Sequence, residues 1–291
     1  MGKWIDRTGQ RYGKLVCREY LGNGKWKCSC DCGNEHIVST SGLTTGKTKS
    51  CGCLKYKYHI NENFFKTIDT EEKAYILGLF AADGNIAKST TNIKLELKYI
   101  DVDILEKIKE AMDYDFNLIH CNYKSYFPNS NKIYDNYLIR LNITNKKIYT
   151  DIQKYGLTPN KSKTLDVNLD LIPEEFMHHF LRGLWDGDGS ISISYQKSYP
   201  NVSMNLTTSN IMYDKIYNIL DNKIDGFIGY GYFRNKEKQY TKTLIVSKNQ
   251  SVYNLLKYLY KDATIYLDRK YNKYLEIINI LETQSTIPLE V

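Results

Sequence analysis

The sequence predicts an α+β protein built from two similar halves that follow a small cysteine-rich module. A nine-residue motif occurs twice, as ILGLFAADG at residues 76–84 and as LRGLWDGDG at residues 181–189. Each copy is followed by segments of alternating apolar and polar residues, which are typical of strands, and by an amphipathic helical segment. Six of the seven cysteines lie before the first copy, and five of these lie between Cys28 and Cys53. Because the motif recurs together with the strand and helix segments that follow it, the sequence predicts one supersecondary unit used twice.

We expect four segments along the chain: a cysteine-rich module at residues 1–55, a linker at residues 56–70, a first half at residues 71–165 and a second half at residues 166–291. The linker stretch YKYHINENFFKTIDT shows no clear periodicity. With 291 residues, of which 42% are hydrophobic, the chain can bury a sizeable core.

The positive charge is concentrated near the N-terminus. The formal net charge is +7, and residues 1–60 carry 11 basic and 4 acidic side chains, whereas the remaining residues carry 29 of each. A short basic segment on a neutral body favours a module that binds a polyanion such as nucleic acid. The alternative is an ordinary solvated surface, because short lysine-rich stretches are common.

The sequence has neither a signal-peptide pattern at MGKWIDRTGQ nor an apolar run long enough to cross a bilayer. We therefore expect an intracellular, cytoplasmic and soluble protein with no membrane partner.

The clustered cysteines predict a structural zinc ion. They form two similar groups, SCDC at residues 29–32 and SCGC at residues 50–53, within a segment too short and too poor in large apolar residues for an adequate core. Because disulfides are disfavoured in a reducing compartment, we expect four of the thiolates to bind Zn²⁺ and stabilise the segment. A redox or packing role of the cysteines is the alternative. Five cysteines compete for four positions, and we expect Cys28 to be the one left out. The candidates are Cys28, Cys30, Cys32, Cys51 and Cys53.

The stretches RYGKLVCREY, KWKCSCDCG and LTTGKTKSCGC resemble the zinc-binding N-terminal modules of many phage and mobile-element endonucleases. The resemblance covers about the first fifth of the chain and implies an accessory role in DNA binding. Lys47, Lys49 and Lys55 flank the second cysteine group, where they would suit contacts to phosphates.

In the first half, the sequence predicts a helix from Glu71 to Ala82 that ends at Asp83–Gly84, with Gly84 in the left-handed conformation. A strand at residues 93–99 follows, with Tyr99 on its inward face, and Asp101 is expected to cap the helix at residues 102–112. Two further strands near residues 117–126 and 136–144 precede a helix at residues 145–156.

The second half repeats this plan. A helix that begins near Pro173 ends at Asp188–Gly189, with Gly189 again expected in the left-handed conformation. Asn210 is the expected cap of the next helix. The remaining predicted elements are strands at residues 189–194 and 201–208, a helix at 211–220, strands near 229–236 and 241–248, and two helices between 250 and 281.

Asp83 and Asp188 stand in the last turn of their helices, where the helix dipole favours a cation instead. Small residues four apart line one face of each helix and would let the two helix backbones approach closely. Two carboxylates brought together in this way repel each other unless cations bind between them, and Mg²⁺ suits such a site. A plain Asp-Gly turn is the alternative. The small residues are Gly78 and Ala82 in the first helix and Gly183 and Gly187 in the second.

The two motifs resemble the paired motifs of monomeric LAGLIDADG homing endonucleases. The stretches GLTPNKSKTL and YLDRKYNKYLEI are also similar to that family, and the resemblance extends from Glu71 to the C-terminus. It implies two αββαββα halves, related by a pseudo-twofold axis, whose sheets form a saddle over double-stranded DNA. Such an enzyme acts as a monomer and belongs to an intron or other mobile genetic element.

The resemblance also implies a reaction. Asp83 and Asp188 match the acids that hold divalent metal, assisted by the backbone carbonyls of Ala82 and Gly187. Each acid would serve one strand in a Mg²⁺-dependent hydrolysis across the minor groove that leaves 3′ overhangs. Basic side chains near the metals come from Lys161 or Lys163 and from Arg269 or Lys270, and the predicted catalytic pair is Lys163 and Lys270.

We expect the DNA sequence to be recognised by side chains on the outward faces of the strands. For any one side chain there, a solvated sheet face is the alternative. The candidates in the first half are Lys94, Glu96, Lys98 and Arg140, and those in the second are Ser203, Asn205, Thr207, Arg234, Lys236 and Lys242.

Two other functions fit the same fold. An intron-splicing maturase would bind intron RNA without divalent metal and would cleave little DNA. A non-cleaving, sequence-specific DNA-binding regulator would tend to lack the acids, whereas Asp83 and Asp188 are both present.

Overall fold

The computed structural model describes residues 4–31, 33–52, 58–127, 132–196, 199–233 and 240–285. The chain divides into two compact units, Met1–His59 and Ile60–Val291. In the described part of the chain, no helix combines the length and the apolar character needed to span a bilayer.

The N-terminal unit is a four-stranded antiparallel sheet with one short helix. The strands pair in sequence order, and the apolar side chains that alternate along them form a small core with Trp26 at its centre. Its elements are β1 (Arg11–Tyr12), β2 (Leu15–Gly22), β3 (Lys25–Cys30), β4 (Glu35–Ser39) and α1 (Thr40–Thr44).

The larger unit contains both repeats, and its first half has a four-stranded sheet in the order β5-β6-β8-β7. Apolar side chains on alternate positions of the central strands, such as Leu95 and Leu141, are buried beneath the helices. The elements are α2 (Glu71–Asp83), β5 (Asn85–Ile86), β6 (Asn92–Lys98), α3 (Val102–Ala111), β7 (Ile119–Phe127), β8 (Lys132–Thr144) and α4 (Lys146–Lys154).

The second half has the same topology. Its sheet has the order β9-β10-β12-β11, so in both halves the second and fourth strands lie at the centre and the first and third at the edges. The predicted α+β fold with two αββαββα halves is thus confirmed. The elements are α5 (Met177–Asp188), β9 (Gly189–Gln196), β10 (Tyr199–Ser209), α6 (Asn210–Lys223), β11 (Tyr230–Tyr232), β12 (Thr241–Val246), α7 (Asn249–Leu259) and α8 (Asp268–Ser285).

Helices α2 and α5 pack against each other through reciprocal glycine contacts. A Cβ atom on Gly78 would lie 2.1 Å from the carbonyl oxygen of Phe180, and one on Gly183 would lie 2.0 Å from that of Tyr75. The two contacts exchange equivalent positions of the repeat, as expected at a pseudo-twofold axis. The predicted close approach through small residues is therefore present, and a side chain at either glycine would push the helices apart.

The prediction of left-handed glycines after the motif helices was wrong. Gly84 has φ −67° and Gly189 has φ −91°, so the chain leaves each helix directly into an extended segment. Both positions require glycine for space instead, because a Cβ atom would lie 2.4 Å from the Phe80 carbonyl oxygen and 2.2 Å from the Trp185 ring, respectively.

Two further local predictions were wrong, and a third was right in position only. Ser209, not Asn210, caps α6, since its hydroxyl accepts the backbone N–H of Met212 at 3.1 Å. Asp101 occupies the N-cap position of α3, as predicted, but makes no side-chain capping bond there, and its carboxylate binds Arg269. Tyr99 lies in a 3₁₀ turn after β6 and is 53% exposed.

Candidate active site

The two motif helices end side by side. Asp83 is the last residue of α2 and Asp188 the last of α5. A Cβ atom on Gly187 would lie 2.3 Å from the Cβ of Ala82 and 3.2 Å from a carboxylate oxygen of Asp83. The absence of a side chain at Gly187 therefore lets the Asp83 carboxylate lie against the backbone of the other helix, one residue before Asp188.

Both carboxyl groups resist ionisation in the absence of bound cations. Partial desolvation and the charge of Asp83 together raise the pKa of Asp188 to about 6, against the opposing charges of Lys161 and Lys270. The pKa of Asp83 is also raised by burial, again opposed by Lys161, Lys270 and Arg269. Two neighbouring acids with raised pKa values form a site that favours added positive charge.

Lys161 supplies one of the two cations beside the acids. It lies in a 3₁₀ turn over Lys161–Lys163, and Asn160 before it has φ 61°, in the left-handed region. The side chain is buried, and its ammonium donates to the carbonyl oxygen of Ala82 at 2.8 Å. Burial lowers the pKa of Lys161 to about 8, although the charges of Asp188 and Asp83 favour the protonated form.

The predicted catalytic residue Lys163 lies elsewhere. It is exposed, and its ammonium lies 5.4 Å from the centre of the Tyr240 ring. Since both lysines belong to the same short turn, only one of them can point to the acids, and that one is Lys161.

Lys270 supplies the second cation. Its ammonium donates to the carbonyl oxygens of Trp185 at 2.6 Å, Asp186 at 2.7 Å and Gly189 at 2.7 Å. Burial lowers the pKa of Lys270 to about 8, and the neighbouring charge of Asp186 is the strongest influence in the opposite direction. Arg269, the other sequence candidate, binds the buried carboxylate of Asp101 at 3.0 Å.

The two lysines occupy equivalent places in the two halves. Each ammonium binds carbonyl groups at the C-terminal end of a motif helix, where positive charge is favoured by the helix dipole. The acids at these helix ends are therefore accompanied by cations that come from distant parts of the sequence. The arrangement gives two carboxylates and two ammonium groups around the ends of one helix pair.

A buried polar network below this site was not predicted from the sequence. Arg182 is fully buried and donates to Glu71 at 2.6 Å, to the Leu259 carbonyl at 2.8 Å and to the Ile265 carbonyl at 3.1 Å. Asp186 is also buried, and burial raises its pKa. The one available signal was two charged residues inside an otherwise apolar motif helix, at positions where the first copy has Leu77 and Ala81.

The donor set fits Mg²⁺ better than a metal that needs a cage of side chains. Within the described ranges, no cluster of three or more histidine, cysteine, aspartate or glutamate side chains could hold a metal. Mg²⁺ is commonly bound through one or two carboxylates, with water and phosphate oxygens completing its shell. Asp83 and Asp188 meet that requirement. The carbonyl of Ala82 already accepts a hydrogen bond from Lys161, and Gly187 contributes chiefly by having no side chain.

The first-half sheet presents a charged face opposite its buried face. Glu96 pairs with Arg140 across the strands, and the guanidinium donates to the carboxylate at 2.7 Å. Lys94 is half-buried and Lys98 exposed on the same face. The charge of Arg140 is therefore partly matched within the sheet, while the two lysines extend the face.

The second-half sheet presents a neutral face. Ser203 and Ser192 share a hydrogen bond of 2.8 Å across β9 and β10, and Thr207 and Thr243 share one of 2.8 Å across β10 and β12. Asn205 lies on the same face and donates to Ser190 at 3.4 Å.

Lys242 does not belong to this neutral face, contrary to the prediction. It pairs with Thr208 in the sheet and lies on the side of the helices, where its ammonium is 3.8 Å from the centre of the Tyr213 ring of α6. The period-2 alternation of the strand places it there. Arg234 and Lys236 lie outside the described residues.

Two cysteines of the N-terminal unit pair with each other in its core. Cys17 and Cys28 face each other across β2 and β3, and their sulfur atoms are 3.5 Å apart. Burial and the neighbouring Cys17 together raise the pKa of Cys28 to about 12. Cys30 is buried and Cys51 packs against the same core, while Cys32 and Cys53 lie outside the described residues.

Lys47 and Lys49 are both exposed in the segment that leads to Cys51. This segment packs on the turn between β1 and β2, where the backbone N–H of Lys14 donates to the Lys49 carbonyl at 2.7 Å. Gly13 in that turn has φ 64°, and a Cβ atom there would lie 2.6 Å from the same carbonyl oxygen.

Comparison with known proteins identifies both repeats. The model of a LAGLIDADG-like domain matches residues 70–155, and the model of the LAGLIDADG endonuclease matches residues 181–281. An uncharacterised protein of Methanocaldococcus jannaschii is 27% identical over 177 residues, which is 60% of each chain. The match thus spans about 60% of the length of that relative.

Solved structures of low sequence identity resemble the chain as well. The LAGLIDADG homing endonuclease I-GzeII in complex with its DNA target is 13% identical with a TM-score of 0.49, over 74% of this chain and 92% of that one. I-WcaI bound to its DNA recognition sequence is 16% identical with a TM-score of 0.48, over 72% and 90%. The two family models together match most of the larger unit and include both motifs, and on that ground the chain belongs to the LAGLIDADG endonuclease family.

Proposed function

We propose that this protein is a site-specific endonuclease of the homing type that cuts both strands of double-stranded DNA. The observation that carries the proposal is the pairing of Asp83 and Asp188 at the ends of two helices in backbone contact, with a buried lysine beside each end. The resemblance to the family implies that each acid serves one strand, with hydrolysis of one phosphodiester per strand across the minor groove and 3′ overhangs.

The two carboxylates would hold divalent metal, and Mg²⁺ is the proposed ion. When bound, it would help to generate the attacking hydroxide and stabilise the leaving 3′ oxygen. Raised pKa values mean that the acids gain more from a bound cation than two solvated carboxylates would. The acids would thus bind and orient the ions.

Lys161 and Lys270 are the proposed basic members of the two sites. Each ammonium is buried, is held by helix-end carbonyls and lies near the acids, so it can stabilise negative charge on a phosphate. Lys161 takes the role that the sequence assigned to Lys163.

The polar sheet faces are the proposed DNA-binding surface. Lys94, Lys98 and Arg140 of the first half can contact phosphates or guanine edges, whereas Ser203, Asn205 and Thr207 of the second half offer neutral hydrogen bonds. Arg234 and Lys236 remain candidates from the sequence alone.

For the N-terminal unit we propose a structural zinc ion and an accessory DNA-binding role. The core contact between Cys17 and Cys28 supports Cys28 as the cysteine that does not bind zinc, and the proposed ligands are Cys30, Cys32, Cys51 and Cys53. The exposed Lys47 and Lys49 suit contacts to phosphates.

We predict one zinc ion per chain in the purified protein, measured by atomic emission. Cys28→Ser should keep the ion, because it changes only the core pair, whereas Cys30→Ser should lose it. A wild-type protein without stoichiometric zinc would refute the proposal, and zinc loss in Cys28→Ser alone would overturn the choice of ligands.

A cleavage selection on a randomised duplex DNA library with Mg²⁺ tests the main proposal. An endonuclease enriches one recognition sequence with breaks in both strands. A maturase would instead bind its intron RNA without divalent metal and leave the library intact, and a non-cleaving regulator would enrich bound but uncut DNA. Either of those results would overturn the proposal.

A further inference from the structure

The buried carboxylate of Asp186 is a junction between three separate segments. It lies in α5, two residues before Asp188, and is 2% exposed. It accepts hydrogen bonds from the Tyr75 hydroxyl at 2.8 Å, the Leu267 backbone N–H at 2.9 Å and the Tyr260 hydroxyl at 3.3 Å. These partners belong to α2, to the segment before α8, and to the end of α7.

The bond to Leu267 lies at the start of α8. Leu267 immediately precedes α8, and its carbonyl accepts the backbone N–H groups of Lys270 at 2.9 Å and Tyr271 at 3.0 Å. Leu267 is therefore bonded on one side to the Asp186 carboxylate and on the other to the first turn of the helix. Few other groups could replace this acceptor in a buried site.

Lys270 lies in that first turn. Its ammonium reaches three carbonyl groups around the end of α5, and the residue is 5% exposed. Such a convergent geometry depends on the position of the helix that carries the lysine, because the side chain is fully committed to these contacts.

The first half has no equivalent support. The repeat places Ala81 where the second half has Asp186, and Ala81 has no polar side chain. Lys161 lies in a 3₁₀ turn and binds Ala82 alone among the described groups.

We propose that Asp186 is a positioning residue for Lys270, and hence that it serves the cleavage of only one of the two DNA strands. The inference rests on the proposed endonuclease function, in which each lysine belongs to one strand's site. Asp186 itself touches neither the phosphate nor the metal in this account. It acts through Leu267 and the first turn of α8.

The test compares the cleavage rates of the two strands. A duplex that carries the sequence recovered by the selection is labelled with a different dye on each strand and cut in Mg²⁺ by the full-length protein. Lys270→Met identifies the strand that depends on Lys270. Asp186→Ala should slow that same strand by about ten- to a hundredfold relative to the other, so nicked DNA accumulates.

Two matched variants separate positioning from a general loss of structure. Asp186→Asn keeps an acceptor for the Leu267 N–H but removes the charge that favours protonated Lys270, so the strand ratio should return to near the wild-type value when cleavage is measured well below pH 8. Tyr75→Phe removes one bond to the carboxylate but leaves that to Leu267, so the ratio should again be near wild type. A smaller folded fraction lowers both rates together and leaves the ratio unchanged.

If Asp186→Ala does not fold, the triple variant Asp186→Leu, Tyr75→Phe, Tyr260→Phe takes its place. This variant also removes the two tyrosine hydroxyl groups that would otherwise be buried without their acceptor. An unchanged strand ratio in the folded variant would overturn the inference, as would a Lys270→Met enzyme that slows both strands alike. Failure of the wild-type protein to cut any duplex would instead refute the proposed function.

Discussion

Asp188 illustrates how a functional side chain can oppose stability at the scale of one residue. Burial and the charge of Asp83 raise its pKa from 3.8 to about 6. A carboxyl group with a raised pKa binds its proton more tightly in the folded state than in the unfolded one. Its contribution to stability is therefore greatest at low pH and is lost as pH rises through about 6.

We predict that Asp188→Asn stabilises the protein at pH 8 in buffer free of divalent ions. The substitution removes a charge that its surroundings disfavour, and because the carboxyl is exposed to solvent only part of the pKa shift reaches stability, so the midpoint of thermal unfolding should rise by about one or two degrees. The difference should shrink towards pH 4.5, where the wild-type carboxyl is largely protonated. Scanning calorimetry at both pH values measures it.

Mg²⁺ provides the control, since it should raise the midpoint of the wild-type protein more than that of the variant. A variant less stable than wild type at pH 8, or a difference independent of pH, would contradict the account of Asp188.

At the scale of elements, the central feature is the contact between α2 and α5. Gly78 and Gly183 make equivalent contacts with the opposite backbone, but the next pair along the interface is unequal. Ala82 in α2 faces Gly187 in α5, and only one of the two positions can carry a methyl group. This pair lies directly beside Asp83, so its packing sets the approach of the two acids.

We predict that Gly187→Ala lowers cleavage of both strands strongly, because its Cβ would lie 2.3 Å from that of Ala82. The exchanged double variant, Ala82→Gly with Gly187→Ala, restores one methyl group at the contact and should recover much of the lost rate. Single-turnover cleavage assays on folded protein measure both effects. A double variant no better than Gly187→Ala would show that the two positions do not compete for the same space.

Local pattern predicts most of these elements. The two motifs, the alternating strands and the amphipathic helices gave the order of both halves, and small residues gave the close helix contact. The glycines at the helix ends were predicted for the wrong reason. Gly84 and Gly189 are needed because a side chain there would clash with Phe80 and Trp185, respectively. This need arises from the path by which the chain leaves each helix, and not from a positive φ.

The parts that the sequence could not predict depend on contacts between distant segments. Lys161 and Lys163 are two residues apart in a stretch without periodicity, and the left-handed Asn160 and the turn after it decide which one faces the acids. The bond from Leu267 to Asp186 joins residues 81 positions apart. Lys242 differs, because the alternation of its own strand already assigns it to the helix side once the register is known.

At the scale of the whole molecule, the larger unit is a pair of halves with the same sheet order and a shared helix pair, and the site exists only where the halves meet. The halves differ in their polar faces, one charged and one rich in hydroxyl and amide groups. They also differ in the support of their lysines. The N-terminal unit adds a separate sheet with a cysteine-containing core.

The central claim is that Asp83 and Asp188 each supply a carboxylate to the cutting of DNA by the paired halves. Asp83→Asn and Asp188→Asn keep the size of the side chain and remove its charge, so each should abolish Mg²⁺-dependent double-strand cleavage while DNA binding stays nearly unchanged. The decisive measurement is cleavage and binding of the selected duplex by wild type and both variants. We expect cut DNA with 3′ overhangs from the wild-type protein alone and similar DNA binding by all three proteins. Undiminished cutting by either variant would contradict the proposed roles of the two acids.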